Sequence, residues 1–211
     1  NDACLRLPDS SPVQFMFSES QFAGRGRRIN SWQAAFSGSI LMSYRRHFSA
    51  GDDCRAFGLC VSLFVVEAIR RQYPRLSCAL KWPNDIYLDG KKWMGVLVDI
   101  VHGLSGQTVV AGIGCNLLLD QLALETAIDC ANQPIRIDKN QLAYLLMRAC
   151  LDASSRCEDS GFAGLEARFN ACHLYHLCRI SYRSHDQRYE AVVCGVSSQG
   201  QLLVNQNGQH L

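Results

Sequence analysis

Lys81-Trp82-Pro83-Asn84-Asp85 sets a lysine, an amide and a carboxylate side by side, and Lys92 follows one hairpin later. Upstream, Gly24-Arg25-Gly26-Arg27-Arg28 alternates glycine with arginine, and Trp32 comes just after. Arginine offers planar forked donors that match carboxylate and phosphate oxygens. Glycine lets backbone N–H groups come close to a bound anion. Two lysines, a carboxylate and an arginine loop therefore suit a site where a carboxylate meets a nucleotide triphosphate. Fixed positive charge is needed there to offset the repulsion of two anions and the charge that develops at phosphorus.

Each of these residues also has a plainer reading. A glycine-arginine run alone can be a basic surface loop. Lys92, at the end of an apolar strand face, can be a pocket-rim lysine or one whose stem packs while its ammonium stays in water. Asn84-Asp85 suits the turn after Pro83, though Asp85 can also hold magnesium or orient Lys81. Trp32 can stack on a ring or belong to the core. Asn116 can cap a strand end.

Sequence periodicity supplies the elements that must position these groups. Phe57, Cys60, Val61, Phe64, Val65, Ala68 and Ile69 recur at helical spacing and predict a core helix that ends before Pro74. Leu76, Cys78, Leu80 and Trp82 alternate with Ser77, Ala79 and Lys81, so Lys81 points away from the Cys78/Leu80 face. Pro83 ends that strand. Asp89-Gly90 predicts a two-residue hairpin turn. The next strand runs from Lys91 to about Val101 and places Lys92 on one face with Met94, Val96, Val98 and Ile100. A third strand over 107–115 closes in Gly112-Ile113-Gly114, where the backbone can approach a ligand. Asp138 with Gln141 forms a capping box ahead of a helix carrying Leu142, Leu145, Leu146 and Ala149. A short helix follows over 162–171. From about Leu177 short β runs predict a small all-β appendage. Arg45 and Arg46 read as a solvated helix end. The hairpin demands antiparallel neighbours, so the fold class is α+β: a mixed, largely antiparallel sheet flanked by helices.

The 211 residues, 48% apolar and 19% charged, describe an ordinary globule. A net charge of +2 gives no global argument for nucleic acid. The 11 cysteines include no C-x-x-C pair, so zinc spacing is absent. Cys60, Cys78, Cys115, Cys150 and Cys194 lie in apolar runs and read as reduced core thiols of a cytoplasmic protein. The longest apolar stretch, 57–69, is too short to span a bilayer, and no membrane role is expected.

In this order and spacing, the sequence resembles the biotin protein ligase family, also called biotin–[acetyl-CoA-carboxylase] ligase. The marks are Gln21 with the Gly24–Arg28 run and Trp32, then Lys81–Asp85, then Lys92-Trp93-Met94-Gly95, then Gly112-Ile113-Gly114-Cys115-Asn116. The resemblance implies a catalytic domain over 1–176, similar to class II aminoacyl-tRNA synthetases, and an SH3-like barrel over 177–211. It implies activation of biotin by ATP with Mg2+, then transfer to a lysine of the biotin carboxyl carrier protein. A homodimer is compatible with it, and no nucleic acid is expected to bind through this chain. Lys92, Arg27 and Lys81 would be the catalytic groups. Asn1, Gln21, Gly24, Arg25, Gly26, Arg27, Trp32 and Lys92 would surround biotin. Arg25, Lys81, Asn84, Asp85 and Asn116 would contact ATP, and no side-chain metal ligand is assigned. Asn1 aligns with the last residue of the family's Ser-Thr-Asn segment, and the barrel normally adds a strand after Asn207-Gly208, so both ends read as cut. The family usually continues the arginine loop with Gly-Arg. Ile29-Asn30 here removes backbone freedom and a charge, which would slow or weaken loop closure. Two other readings stay open: a catalytically weak regulator that holds biotin or biotinyl-adenylate, and a lipoate or octanoate ligase-transferase of the same fold.

Overall fold

The structure is a computed structural model. It describes the chain except for residues 8–12, 28–30, 33, 35–37, 119–127, 129–132, 134–135, 185–186, 207–208 and 211. Arg28, Ile29 and Asn30 of the arginine loop thus lie outside the described residues.

Six strands build the main sheet: β1 (Val13–Ser18), β2 (Ser39–Ser49), β3 (Cys78–Lys81), β4 (Asp85–Leu88), β5 (Lys91–Gly103) and β6 (Gly106–Asn116). Their order is β1-β2-β6-β5-β4-β3, and every neighbouring pair is antiparallel. The β4–β5 turn explains the Asp-Gly sequence directly. Asp89 and Gly90 both have positive φ, 48° and 77°, as the tightest hairpin connection requires.

Strand alternation divides this sheet into two chemically distinct faces. Cys78, Leu80, Ile86, Leu88, Met94, Val96, Ile113 and Cys115 are buried on one of them. Helices α2 (Phe57–Gln72) and α3 (Lys139–Asp159) complete the core. Asp138 caps α3, its carboxylate accepting from the Gln141 N–H at 2.8 Å, which satisfies one of the free donors of the first turn. The opposite face carries Lys81, Asp85, Gly95, Leu97, Gly112, Gly114 and Ser43 and forms a cleft. A short α1 (Asp2–Leu5) packs against β2, and α4 (Glu166–Cys172) lies near β3.

A second antiparallel sheet follows: β7 (Arg179–Ser184), β8 (Gln187–Val196), β9 (Leu202–Gln206) and β10 (Gln209–His210), in the order β10-β9-β8-β7. Among the described residues it is an open meander, consistent with the strand arrangement of an SH3-like unit. Of the ten described cysteines, eight are buried, while Cys194 is half-buried and Cys178 exposed. Burial raises the pKa of thiols such as Cys78 and Cys150, because it disfavours the thiolate. No described helix is long and apolar enough to cross a membrane.

Two expectations are corrected here. Arg45 and Arg46 belong to β2, not to a helix end. Arg45 is 2% exposed and donates to the Leu7 carbonyl at 3.2 Å, while Arg46 pairs with Glu158 of α3. Lys92 does not share a face with Met94 and Val96. The β4–β5 register jumps from Ile86↔Met94 to Tyr87↔Lys92, leaving Trp93 as the extra residue of a β-bulge. A bulge re-aims the side chains on one side of it. Lys92 is thereby turned onto the cleft face, while Trp93 is fully buried and donates its indole N–H to the Asn116 carbonyl at 3.0 Å.

Candidate functional site

The cleft has a volume of about 770 Å³. Its floor is flat because three glycines face it. Gly95 of β5 pairs with Gly114 of β6, and Leu97 pairs with Gly112. A methyl group on Gly114 would sit 2.5 Å from the Trp32 ring, and one on Gly112 would sit 2.3 Å from Asn1 Oδ1. The glycines of the third strand therefore make room for Trp32 and Asn1, which lie against the sheet. Asn1 donates to the Leu97 carbonyl at 3.2 Å and to Asp99 at 2.9 Å, and it accepts from the Ser43 hydroxyl at 3.0 Å.

Lys92 and Asp85 meet at 2.8 Å above this floor. The Lys92 ammonium also sits 5.6 Å from the centroid of the Trp32 ring, a cation–π arrangement. Asp85 is therefore the anchor of Lys92, not of Lys81. Lys81 donates to the Tyr87 hydroxyl at 3.0 Å, and its ammonium lies over the rings of Tyr87 and Tyr175. Burial opposes the charge on Lys81, but the Tyr87 hydroxyl and the attraction of Tyr87, Tyr175 and Asp85 outweigh it. The result is a pKa above the usual lysine value, because these partners favour the charged form. Asn84 is tied to β5, its side chain donating to the Val96 carbonyl at 2.5 Å and its own carbonyl accepting from Val96 N–H at 2.9 Å.

The arginine loop closes one side of the cleft. Trp32 N–H donates to the Gly24 carbonyl at 2.9 Å, and Arg25 bridges to Ser31, so the loop folds back on itself. Arg25 pairs with Asp2 and lies 3.5 Å from Asp99. Arg27 is exposed at the cleft, and Gln21 and Gly26 line it as well. Four basic side chains (Arg25, Arg27, Lys81 and Lys92) thus face the cavity against the carboxylates of Asp2 and Asp85. Such a cleft concentrates anions.

The sequence-predicted residues mostly converge here. Asn1, Gln21, Arg25, Gly26, Arg27, Trp32, Lys81, Asn84, Asp85 and Lys92 all line the cavity. Gly24 stands just behind it, packed against Gln21 and the Trp32 backbone. Asn116 does not reach it: it is 3% exposed at the end of β6 and does not line the cavity. Sequence reasoning missed Ser43, Tyr87, Leu97 and Asp99. Tyr87 carried a signal, since it lies at even spacing from Asp85; Asp99 alternates with Gly95, and only the register shift in β5 brings that face to the cleft with Lys92. Among the described residues no three His, Cys, Asp or Glu side chains gather as metal ligands.

Residues 6–116 match the model of the Biotin/lipoate A/B protein ligase family, and the chain belongs to that family. Within it, the chain is similar to proteins named as ligases. The bifunctional ligase/repressor BirA of Escherichia coli (strain K12) is 28% identical over 198 residues, 90% of this chain and 61% of that protein. The biotin–[acetyl-CoA-carboxylase] ligase of Paracoccus denitrificans is 32% identical over 123 residues, 56% of this chain and 50% of that protein. The chain therefore spans less than two thirds of the length of these relatives. The structure of biotin protein ligase from Aquifex aeolicus in complex with biotin and ATP has the same fold. It matches with a TM-score of 0.77 at 20% identity, covering 93% of this chain and 84% of that one.

Proposed function

We infer that this chain activates biotin with ATP to biotinyl-5′-AMP and passes the biotinyl group to a lysine of a biotin carboxyl carrier protein. The observation that carries this reading is the convergence of Lys92, Lys81, Arg25 and Arg27 on one cleft with a glycine floor. In the reaction, a biotin carboxylate oxygen attacks the α-phosphorus of ATP and pyrophosphate leaves. The acceptor amine then attacks the acyl carbon of the mixed anhydride and AMP leaves. The bulge at Trp93 delivers Lys92 to the point where carboxylate and α-phosphate would meet, and Asp85 holds its ammonium there before either arrives. Lys81 and Asn84, at the β3–β4 end, serve the triphosphate. Asn1, Gln21, Gly26 and Trp32 serve biotin at the opposite end, while Gly24 supports their loop. Arg25 and Arg27 cover the junction, and Asn116 would act on the nucleotide only after moving out of its buried position.

Magnesium would reach the site on the triphosphate oxygens. Magnesium held by protein takes carboxylate oxygens. The donor set here does not form such a site, because Asp85 is engaged by Lys92 and no carboxylate cluster stands beside it among the described residues. The reading places the protein in the cytoplasm, as monomer or homodimer, with residues 1–176 as catalytic domain and 177–211 as an SH3-like unit. Pyrophosphate release with biotin, ATP and Mg2+ tests it. Biotin-dependent release is expected. Biotin binding without release would leave a binding protein, and release with lipoate in place of biotin would redirect the assignment.

A further inference from the structure

Trp82 is held from outside the main sheet. Its backbone N–H donates to Nε2 of His173 at 3.2 Å, and its indole N–H donates to the Gly200 carbonyl at 2.9 Å. One step back, the Leu80 carbonyl accepts from Leu174 N–H at 2.7 Å, and Leu80 forms an isolated parallel bridge with His173. The segment after α4 therefore runs beside the edge strand β3 and binds the residues that precede Asn84. His173 is itself fixed. It is 8% exposed, stacks on Phe169 of α4 with ring centroids 5.6 Å apart, and meets Tyr175 edge-on at 6.3 Å. Tyr175 in turn stands 5.9 Å from the Lys81 ammonium.

A backbone N–H can only donate, so Nε2 of His173 must be bare and the ring proton must sit on Nδ1. Burial and the neighbouring His176 keep the imidazole neutral, with its pKa pushed down to about 4, since both disfavour the charged ring. Pro83, the next residue, has no N–H to offer, so on this side the backbone N–H of Trp82 is held by His173 alone, beside the indole bond to Gly200 and the Leu80–Leu174 bond. On the far side Asn84 is pinned to Val96 of β5.

We propose that His173 is a positioning residue for the nucleotide end of the cleft: its bare Nε2 fixes the Trp82 N–H and thereby sets the course of the chain from Lys81 to Asn84. The inference rests on the reading of Lys81 and Asn84 as triphosphate contacts. Nothing in it involves the biotin end, which lies across the sheet at β2 and β6. Removing the acceptor leaves a part-buried N–H without its partner, and the turn shifts to satisfy it.

The test compares His173→Leu, which keeps bulk without an acceptor, with His173→Gln, whose carbonyl oxygen can take the place of Nε2. Initial rates of biotin-dependent pyrophosphate release are measured at varied ATP and varied biotin. The leucine variant should raise KM for ATP about tenfold or more, with KM for biotin little changed. The glutamine variant should recover most of the loss. Wild-type ATP dependence in the leucine variant would overturn the proposal. Equal impairment of both variants would overturn it too, since packing and not the acceptor would then be responsible. Should the leucine variant fail to fold, nitrogen NMR of the wild-type protein decides: a bare Nε2 at neutral pH supports the proposal, and a protonated Nε2 refutes it. A wild-type protein that releases no pyrophosphate, yet shows the bare Nε2, would remove the functional reading on which the inference rests while leaving the hydrogen bond itself in place.

Discussion

Lys92→Ala is the perturbation with the clearest separation between activity and stability. The Lys92–Asp85 pair is partly open to water, with side-chain exposures of 34% and 20%. Pairs of this kind contribute about 1 kcal/mol or less to stability. For a chain of this size about 1 kcal/mol moves Tm by roughly 2–4 °C. Truncation also opens no core cavity, because the bulge puts Lys92 on the cleft side of the sheet. The effect on chemistry should be far larger. A preorganised charge aimed at developing negative charge is worth about 10²–10³ in rate, or about 3–4 kcal/mol of barrier. Lys92→Arg should restore little of this. A planar fork differs from a compact ammonium and would not place the same point charge beside Asp85. The assay is single-turnover adenylate formation, run beside a thermal melt. Near-normal turnover in Lys92→Ala would remove Lys92 from the chemistry and move the role to Lys81. A collapse of Tm by much more than a few degrees would show that the lysine is structural.

Asp85→Asn keeps the shape of the side chain but releases the Lys92 ammonium, so adenylation should fall by about tenfold, less than in Lys92→Ala; equal losses in both variants would give Asp85 a direct role instead. Gly114→Ala places a methyl 2.5 Å from the Trp32 ring. The sheet should survive in the melt while tryptophan fluorescence shifts and biotin affinity drops, and unchanged biotin affinity in calorimetry would count against the floor. Arg27→Gly should leave the fold intact, because Arg27 is exposed, and should let biotinyl-AMP escape to label nearby lysines at random; normal retention of the adenylate by gel filtration would remove Arg27 from that role. His173 has its pKa pushed down by burial and by His176, from 6.5 to about 4. A group shifted this way supports the fold above its unfolded pKa and loses that support as pH falls toward its folded one. The unfolding free energy should therefore decline between about pH 6.5 and 4, by about 3 kcal/mol for the whole shift. His173→Gln should flatten that decline in a chemical-denaturation series, and an unaltered profile would contradict the shift.

Much of the site was legible because its parts are local in sequence. Pro83 ends a strand, Asp89-Gly90 turns one, and Asp138 caps a helix through Gln141, all for reasons carried by those residues themselves. The parts that sequence did not reveal are set at long range. β2 is an interior strand, mostly buried on both faces, so it lacks the alternation that marks a half-exposed strand, and Arg45 inside it donates to the Leu7 carbonyl. The bulge at Trp93 has no signature in Lys92-Trp93-Met94; it follows from how Ile86 and Tyr87 pair across β4. Simple alternation therefore assigned Lys92 to the wrong face. Likewise the glycines of β6 announce a close approach, but only the fold shows that Trp32 and Asn1 are what approaches. The partners of Trp82, His173 and Gly200, lie far along the chain and could not be read from the Lys81–Asp85 run.

The function proposed for this cleft is to make and hold an acyl-adenylate. Native mass spectrometry of the protein after incubation with biotin and Mg-ATP tests it most directly. A complex heavier by biotinyl-5′-AMP is expected, formed only when both substrates are present and lost in Lys92→Ala. A protein that carries biotin and ATP side by side with no adenylate formed would contradict it.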